Sequence, residues 1–251
     1  MILRPLLREE TACASYVFGC LTEGKLAVVD PHEEFVGAYL AAAERVGAPI
    51  LAVFETHVQA DHRSGLPVLV EATGATAYLP SGAPVEFEHQ ELDDDAEVAL
   101  GNTRVRALAT PGHAPVHNAY LVSDLRRETD DPWLVFTGDS LLVGDVGRPD
   151  LHAGGDPLPL ARQLYDSMQR LLELPDDVVV YPSHYGGSVC GRALSGNPFS
   201  TIGFERRHNG ALLHDSSEAF AQALLVDMPP PPADQAAIVA ANKRGALPVR
   251  A

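Results

Sequence analysis

The placement of histidine and aspartate directly after strand-like segments limits the fold of this chain more than any other feature. Four mainly apolar segments are each followed within a few residues by a polar cluster that contains His or Asp. The segments and clusters are residues 50–54 with 56–62, 103–109 with 110–113, 133–136 with 137–139, and 178–181 with 182–184. Strand ends can deliver their loops to one edge of a packed sheet, where a rigid scaffold fixes side chains that are far apart in sequence. We therefore expect a layered fold with a polar site at one sheet edge.

Hydrophobic periodicity predicts strands and helices mixed along the whole chain. Strands are predicted over residues 15–21, 25–30, 50–54, 75–79, 103–109, 118–123, 133–136 and 178–181. Helices are predicted over residues 33–46, 66–73 and 158–174, where apolar residues recur at helical spacing. Such a mixture indicates sheets covered by helices, an α+β class. We expect a single domain over residues 1–251, in which about 211–251 form a short C-terminal helical extension.

Composition excludes two classes of partner. The formal net charge of −16 argues against nucleic acid, because binding to phosphates requires clustered Lys and Arg. No stretch approaches the roughly 18 consecutive apolar residues that would span a membrane. The N-terminus also lacks a basic segment followed by a long apolar one, so the expected location is the cytoplasm. A homo-dimer or tetramer is expected on base rate, and the acidic run at 86–97 is expected to be a solvated loop or strand edge.

Cysteine content indicates no disulfide framework. Cys13, Cys20 and Cys190 are an odd and sparse set. Cys13 and Cys20 lie in an apolar stretch, so both are predicted to be small core residues.

Three residues from the polar clusters form a set that suits a transition metal. His57, His113 and Asp139 follow different predicted strands, so the expected convergence brings them together. Neutral imidazole suits Fe, Zn and similar ions, and a carboxylate supplies negative charge. Glycine beside His113 and Asp139 permits tight turns at the strand ends. Any one segment alone is more often structural, but four of them in this order favour a metal site.

The same segments resemble the metallo-β-lactamase superfamily. The matching residues are Thr-His-Val-Gln-Ala-Asp-His at 56–62, Pro-Gly-His at 111–113, Thr-Gly-Asp at 137–139 and Pro-Ser-His at 182–184. The family motif is His-x-His-x-Asp-His, followed in order by a His, an Asp and a His. The resemblance implies an αββα sandwich, with two mixed β-sheets flanked by helices. One departure is Gln59, which stands where the motif has its second His and argues against a full two-zinc site.

Within the superfamily the chain is most similar to the persulfide dioxygenases, also called sulfur dioxygenases. The likeness rests on residues 137–150 with an Arg nine positions after Asp139, on Arg-Ser-Gly at 63–65, and on residues 188–191 followed by 201–209. In that group one Fe(II) ion is bound by the residues that match His57, His113 and Asp139. The motif's second His is not a ligand there, so Gln59 is compatible with this group.

The resemblance implies a mononuclear iron enzyme that oxidises a low-molecular-weight thiol persulfide with O2 to sulfite and thiol. Its expected partners are therefore a small-molecule persulfide and O2. Asp61, His62 and His184 are expected to surround the metal and support its ligands. In the family they are also the ligands of a second ion, which Asp139 bridges, so a second ion at these residues stays open.

Three further residues are predicted to lie near the substrate. Arg148 matches an Arg that the family places near the carboxylate of the thiol, and its alternative is an ordinary surface charge. Cys190 is expected either near the iron, where it accepts sulfane sulfur, or as a packing residue in a Gly-rich turn. Tyr185 follows His184 and is expected to line the pocket.

Two alternatives remain at this point. The first is a thioester hydrolase of the glyoxalase II kind, with two zinc ions and a zinc-bound hydroxide. The second is a metal- or thiol-binding protein without catalysis, against which the joint presence of His57, His113 and Asp139 argues.

Overall fold

Two mixed β-sheets form the centre of the fold, and helices cover their outer faces. The computed structural model describes residues 1–127, 131–152, 154–186, 188, 194–226, 228 and 230–245. The strands in chain order are β1 (Ile2–Arg8), β2 (Cys13–Cys20), β3 (Lys25–Val29), β4 (Ile50–Phe54), β5 (Thr76–Pro80), β6 (Gln90–Leu92), β7 (Glu97–Leu100), β8 (Thr103–Ala109), β9 (Asn118–Asp124), β10 (Leu134–Gly138), β11 (Leu141–Leu142), β12 (Asp145–Val146), β13 (Val179–Pro182) and β14 (Ser200–Thr201). The helices are α1 (Val36–Val46), α2 (Leu66–Thr73), α3 (Leu158–Leu172), α4 (Ile202–His208), α5 (Ser217–Leu224) and α6 (Gln235–Arg244), and 3-10 turns lie at Glu33–Phe35 and Gly210–Leu212.

Parallel pairing brings several strand ends to a common edge. The first sheet has the order β1-β2-β3-β4-β5-β6, and the second has the order β14-β13-β10-β9-β8-β7. Strands β3, β4, β5 and β6 run parallel to one another, whereas β2 is antiparallel to β3, and in the second sheet β10 runs parallel to β13. The carboxyl ends of β3 and β4 therefore lie side by side, and so do those of β10 and β13. Three of the four predicted polar clusters follow β4, β10 and β13, and the fourth follows β8.

The inner faces of the two sheets form one hydrophobic core. Its centre holds the rings of Tyr16, Phe18 and Phe136, with centroid distances of 5.0 Å from Tyr16 to Phe136 and 4.9 Å from Phe18 to Phe136. Aromatic pairs at such distances add about 0.5–1.5 kcal/mol beyond their buried area. This core fixes the spacing of the sheets, and with it the spacing of the loops at the shared edge.

Helices pack on the outer face of each sheet. Helices α1 and α2 cover the first sheet through residues such as Tyr39 and Leu69. Helices α3, α4 and α5 cover the second sheet, and α3 buries residues at helical spacing. The buried apolar residues of α3 are Ala161, Leu164, Met168 and Leu171. Burial of a leucine-sized side chain stabilises the fold by about 1.5–3 kcal/mol, so this face holds α3 against the sheet.

The architecture confirms the predicted fold class, two mixed sheets flanked by helices. The ranges predicted at 50–54, 66–73 and 103–109 coincide with β4, α2 and β8. The helix predicted at 33–46 begins as a 3-10 turn and becomes α-helical at Val36. The predicted single-domain organisation stays a prediction.

Strand β1 was not among the predicted strands. It pairs antiparallel with β2 in a register that places Ile2 opposite Gly19, and it lies at the edge of the first sheet. Its burial is uneven, and Pro5 lies at its centre, which is tolerated at a sheet edge.

The acidic run at 86–97 lies where it was expected. Strands β6 and β7 form the outer edges of their sheets, and the acidic side chains of this run are largely exposed. Charge on an edge strand discourages pairing with other chains. Among the described residues, no helix combines the length and apolar character needed to cross a membrane.

Candidate metal centre

Three strand ends bring the predicted metal ligands together. His57 follows β4, His113 follows β8 and Asp139 follows β10. The ring centroids of His57 and His113 lie 4.9 Å apart, and Nε2 of His113 lies 3.5 Å from Oδ2 of Asp139. All three residues are buried. The convergence expected from the sequence is therefore present, and metal binding by these residues stays a prediction.

A second group of donors adjoins the first through His184. Nδ1 of His184 lies 2.6 Å from Oδ1 of Asp139, and Nε2 lies 2.7 Å from Oδ2 of Asp61. His62 Nδ1 lies 3.1 Å from Oδ1 of Asp61. One ligand atom of each of Cys13, Asp61, His62 and His184 lies within 4.8 Å of the others. Asp139 thus stands between two clusters that could each hold an ion.

Asp30 ties the loops of the site to one buried carboxylate. It lies directly after β3, and its oxygens accept hydrogen bonds from the Thr56 backbone N–H at 2.8 Å and the Thr56 hydroxyl at 2.9 Å. The Gln59 amide donates to it at 3.0 Å, and the Ser183 hydroxyl donates at 2.5 Å. Thr56 directly precedes His57, and Ser183 directly precedes His184. The Asp30 carboxylate therefore fixes the position of the backbone from which each imidazole extends.

Two glycines allow the backbone to approach the site closely. A Cβ atom at Gly147 would lie 1.8 Å from the backbone oxygen of Asp139 and 2.8 Å from Nδ1 of His113. Gly112 has φ +139°, and a Cβ there would lie 2.4 Å from Leu164 of α3. Any side chain at either position would push a predicted ligand out of place.

Burial favours the neutral, metal-binding form of four imidazoles at the site, those of His57, His113, His117 and His152. Burial lowers the pKa of His57 well below its ordinary value, and His113 lowers it further. Burial also lowers the pKa of His113, although Asp139 opposes the shift. The pKa values of His117 and His152 fall to about 3, again through burial first and through His113 second. A neutral ring offers a lone pair to a cation.

The carboxylates are in the ionised form. Burial raises the pKa of Asp61, but His184 and His62 lower it by more, so that it lies well below its ordinary value. The pKa of Asp139 is lowered in the same way, because His184 outweighs the effect of burial. Neutral imidazoles beside ionised carboxylates are the donor set of iron and zinc sites.

Unpaired nitrogens provide a direct test of this fit. Nε2 of His62 and Nε2 of His152 are buried, and neither has a hydrogen-bond partner among the described residues. A buried polar atom without a partner costs about 1–3 kcal/mol, which coordination to a cation removes. The first ion would be held by His57, His113 and Asp139, and the second group is suited to another ion.

Gln59 belongs to the base of the loop. Its Nε2 donates to Asp30 at 3.0 Å and to Glu55 at 3.4 Å. The side-chain amide nitrogen is therefore engaged in the buried polar cluster beneath the loop.

Several residues near the metal ligands, Asp30 among them, were not predicted to belong to the site. Cys13, predicted as a core residue, is buried, but its Sγ lies 3.6 Å from Oδ2 of Asp61. His117 stacks on His57 with a centroid distance of 5.0 Å, and its Nδ1 lies 2.8 Å from the Thr110 hydroxyl. The ring of His152 lies 5.2 Å from that of His113. The signal for His117 was its place directly before β9, whereas His152 follows no predicted strand.

The residues predicted to contact the substrate are Arg148, Tyr185 and Cys190, and the structure describes the surroundings of the first two. Arg148 is buried and forms a bidentate ion pair with Asp150, with distances of 2.8 and 2.6 Å. Tyr185 is 9% exposed and packs at the margin of the core between the sheets. Substrate contact by either residue stays a prediction, and Cys190 lies outside the described residues.

Family membership follows from comparison with known proteins. A family model described as the metallo-beta-lactamase superfamily matches residues 8–184, more than half of the chain. The chain belongs to the metallo-beta-lactamase superfamily. The match contains every predicted metal ligand and both donor groups.

Superfamily members of two kinds are similar to this chain. Hydroxyacylglutathione hydrolase from Polaromonas sp. is 32% identical over 176 residues, which cover 68% of this chain and 61% of that protein. The mitochondrial persulfide dioxygenase ETHE1 from Homo sapiens is 26% identical over 188 residues, which cover 73% of this chain and 68% of that protein. The crystal structure of ETHE1 from Myxococcus xanthus matches with a TM-score of 0.83 and 32% identity, over 97% of this chain and 98% of that one. The chain thus spans about three fifths of the hydrolase's length, and superfamily membership does not by itself separate the two reactions.

Proposed function

We propose that this superfamily member is a persulfide dioxygenase, which oxidises a low-molecular-weight thiol persulfide with O2. The observation that carries the proposal is the end-to-end likeness to ETHE1 from Myxococcus xanthus, which covers 97% of this chain and 98% of that one at 32% identity. The Polaromonas hydrolase is matched over 61% of its own length. Agreement over nearly the whole of both chains favours a shared reaction more strongly than agreement over part of one.

His57, His113 and Asp139 would hold one Fe(II) ion per chain. Two imidazoles and one carboxylate are the donor set of non-haem Fe(II) oxygenases, and they leave positions open for other ligands. When bound, the ion supplies the redox chemistry between persulfide sulfur and dioxygen. The net reaction converts RSSH, O2 and H2O into RSH, sulfite and two protons. The sulfane sulfur loses four electrons, and O2 gains the same four.

The surrounding residues orient these ligands. The Thr56 hydroxyl lies 3.0 Å from Nδ1 of His57, so the other ring nitrogen is left for the metal. His184 lies between the carboxylates of Asp139 and Asp61 and keeps both ionised. Loss of such supporting partners lowers metal affinity or activity by about 10–100-fold in metalloenzymes.

A cavity beside His152 fits a small anionic thiol. It has a volume of about 110 Å³, and its walls include the apolar residues Val58, Ala114 and Val239. Lys243 of α6 also lines it and places positive charge at the same wall. Apolar walls with one cation suit an alkyl persulfide that carries a carboxylate.

A second candidate function is thioester hydrolysis with two zinc ions. It is favoured by the second donor group, Cys13, Asp61, His62 and His184, whose ligand atoms lie within 4.8 Å of one another. A zinc-bound hydroxide in such a site attacks a thioester carbonyl. The hydrolase relative from Polaromonas supports the same possibility.

Metal analysis combined with two assays tests the proposal. The protein is purified without oxygen, its iron and zinc are counted per chain, and O2 uptake is measured with glutathione persulfide and with smaller carboxylated persulfides. Hydrolysis of S-lactoylglutathione is measured on the same preparation. We expect about one iron per chain and persulfide-dependent O2 uptake, with release of sulfite.

Two variants show which residues carry the activity. His113→Ala is expected to lose metal and O2 uptake together, because it removes a buried ligand. His208→Ala changes an exposed histidine of α4 and is expected to behave like the native protein. Two zinc ions per chain with thioester hydrolysis and no O2 uptake would refute the proposal in favour of the hydrolase.

A further inference from the structure

The superfamily motif has one imidazole more than this chain supplies at the matching positions. Gln59 stands where the motif has its second His, and its amide donates to Asp30 and Glu55. The first ion therefore cannot receive an imidazole from the loop at this point. A metal site that receives no imidazole at one position of a loop can take a donor from another loop, provided that the two loops meet.

His152 is such a donor. One ring nitrogen of each of His57, His113 and His152 lies within 4.8 Å of the other two. Metal–nitrogen bonds of about 2.0–2.1 Å allow two ligating nitrogens to stand at most about 4.2 Å apart. Nitrogens that ligate one tetrahedral ion stand about 3.4 Å apart, so shifts of about 0.7 Å or less in each side chain would bring all three to ligand distance.

The His152 ring lies against both other imidazoles and carries an unpaired nitrogen. Its ring lies nearly perpendicular to those of His57 and His113, at interplanar angles of 80° and 72° and centroid distances of 5.8 and 5.2 Å. Its Nε2 is buried and has no hydrogen-bond partner among the described residues. A packing histidine would gain about 0.5–1.5 kcal/mol by forming a hydrogen bond there, and this one has none.

The loop that carries His152 is held onto the metal site from both sides. Gly147 lies so close to the backbone of Asp139 that only glycine fits. Arg148 is locked by its bidentate pair with Asp150. From the opposite side, the Gln235 amide of α6 donates to the backbone oxygen of Leu151. The position of His152 is therefore determined by contacts on either side of it.

We infer that His152 is a third imidazole ligand of the metal held by His57, His113 and Asp139. It would supply this ion with an imidazole from the loop after β12, whereas Gln59 supplies none. The site would then bind a divalent transition metal through three neutral nitrogens and one carboxylate. Because His152 also lines the cavity with Lys243, the same ring would stand between the metal and the entering substrate.

Cobalt binding to the full-length protein tests this inference without any turnover. The protein is stripped of metal and loaded with one Co(II) per chain. X-ray absorption of the Co(II) form gives the number of imidazoles around the ion, and competition with a chelating dye gives the Kd. Native protein, His152→Ala, His152→Gln and His208→Ala are compared, and circular dichroism and thermal melting of the metal-free forms establish that each variant is folded.

We expect three imidazoles in the native protein and two in His152→Ala, with the Kd raised at least about tenfold. His152→Gln keeps the volume of the side chain and is expected to lose the imidazole in the same way. His208→Ala is expected to match the native protein. Two imidazoles in the native protein, or a Kd within about twofold of native in a folded His152 variant, would overturn the inference. The native count decides the matter even if both substitutions prevent folding.

The outcome is independent of the proposed reaction. A protein that bound cobalt through three imidazoles but, as the iron form, consumed no O2 with any persulfide would retain this inference and refute the dioxygenase proposal. The reverse result would retain the proposal and refute the inference.

Discussion

Removal of the Asp30 carboxylate is expected to weaken the whole edge of the fold that carries the metal ligands. Asp30 accepts hydrogen bonds from Thr56, Gln59 and Ser183, which belong to two different loops. In Asp30→Ala these donors lose their common acceptor in a region from which water is excluded. The change is therefore a test of how far one buried carboxylate organises the site.

The magnitude follows from which donors can find another partner. The Thr56 hydroxyl can turn to Nδ1 of His57 at 3.0 Å, and the Gln59 amide retains Glu55 at 3.4 Å. The Thr56 N–H and the Ser183 hydroxyl have no such alternative among the hydrogen bonds of the described residues. Two buried unpaired donors cost about 2–6 kcal/mol in total. Burial raises the pKa of Asp30, which means that the buried charge itself costs free energy. Removal of the carboxylate removes this cost and so offsets part of the loss. We expect a net loss of about 2–4 kcal/mol.

Urea unfolding of the metal-free protein measures this loss. A chelator is included, because a bound ion would add its own binding free energy to the stability of the folded state. Ser183→Ala, which removes a single donor, serves as the control and is expected to cost about 1 kcal/mol. A loss below about 1 kcal/mol in Asp30→Ala, with an unchanged dependence on urea, would refute the reasoning.

Three further predictions concern the loop, the substrate and pH. Gly147→Ala is expected to abolish metal binding and to lower the free energy of unfolding by about 3 kcal/mol or more, because the added Cβ overlaps the Asp139 backbone. Dye competition measures the metal binding, and urea unfolding measures the stability. Lys243→Gln is expected to raise KM about fivefold for carboxylated persulfides, since a solvent-screened charge contact is worth about 1 kcal/mol, with kcat unchanged in O2-uptake assays. Arg126, together with the N-terminal ammonium, holds the pKa of Asp124 below its ordinary value, so its stabilisation is present above about pH 4 and is lost as pH falls further. Asp124→Asn is therefore expected to cost less than about 1 kcal/mol at pH 7, and the difference should shrink in acid unfolding curves.

Each of these predictions has a matched control. Gly155→Ala adds a methyl group where nothing lies within 4 Å and should leave metal binding intact. Arg244→Gln removes an exposed cation next to Lys243 and should not change KM. Asp177→Asn changes an exposed carboxylate and should leave the free energy of unfolding at pH 7 unchanged. Equal effects in a variant and its control would contradict the corresponding prediction.

The parts of the fold that the sequence predicted are those with a strong local pattern. Strand β4 is a short apolar run, and helix α2 ends at Gly74, whose φ of +69° suits the end of a helix. In β8, Thr103, Val105 and Ala107 face inward while Arg104 and Arg106 lie on the other face. Strand β1 has no such pattern, because it lies at the edge of the sheet and its burial is uneven.

Within the candidate site, too, the residues that the sequence predicted are those with a clear local position. His57, His113, Asp139 and His184 each follow a strand, so local sequence placed them at a common edge. His152 lies in a loop whose path depends on Gly147, Arg148 and Gln235, which are contacts that no local pattern encodes. Cys13 was predicted correctly as buried, but its closeness to Asp61 depends on an isolated bridge between Cys13 and His184. Tertiary contacts thus add donors that a reading of separate segments cannot supply.

The side chain of Asn242 in α6 holds the loop that follows β4. It contacts only the main chain of that loop. Its amide donates to the backbone oxygens of Gln59 and His62 at 3.0 and 2.9 Å, and its oxygen accepts from the N–H of Ser64 at 3.0 Å. Contacts of this kind are indifferent to which side chains the loop presents. Evolution can therefore exchange the residue at position 59, and with it the coordination chemistry, while the path of the loop stays the same.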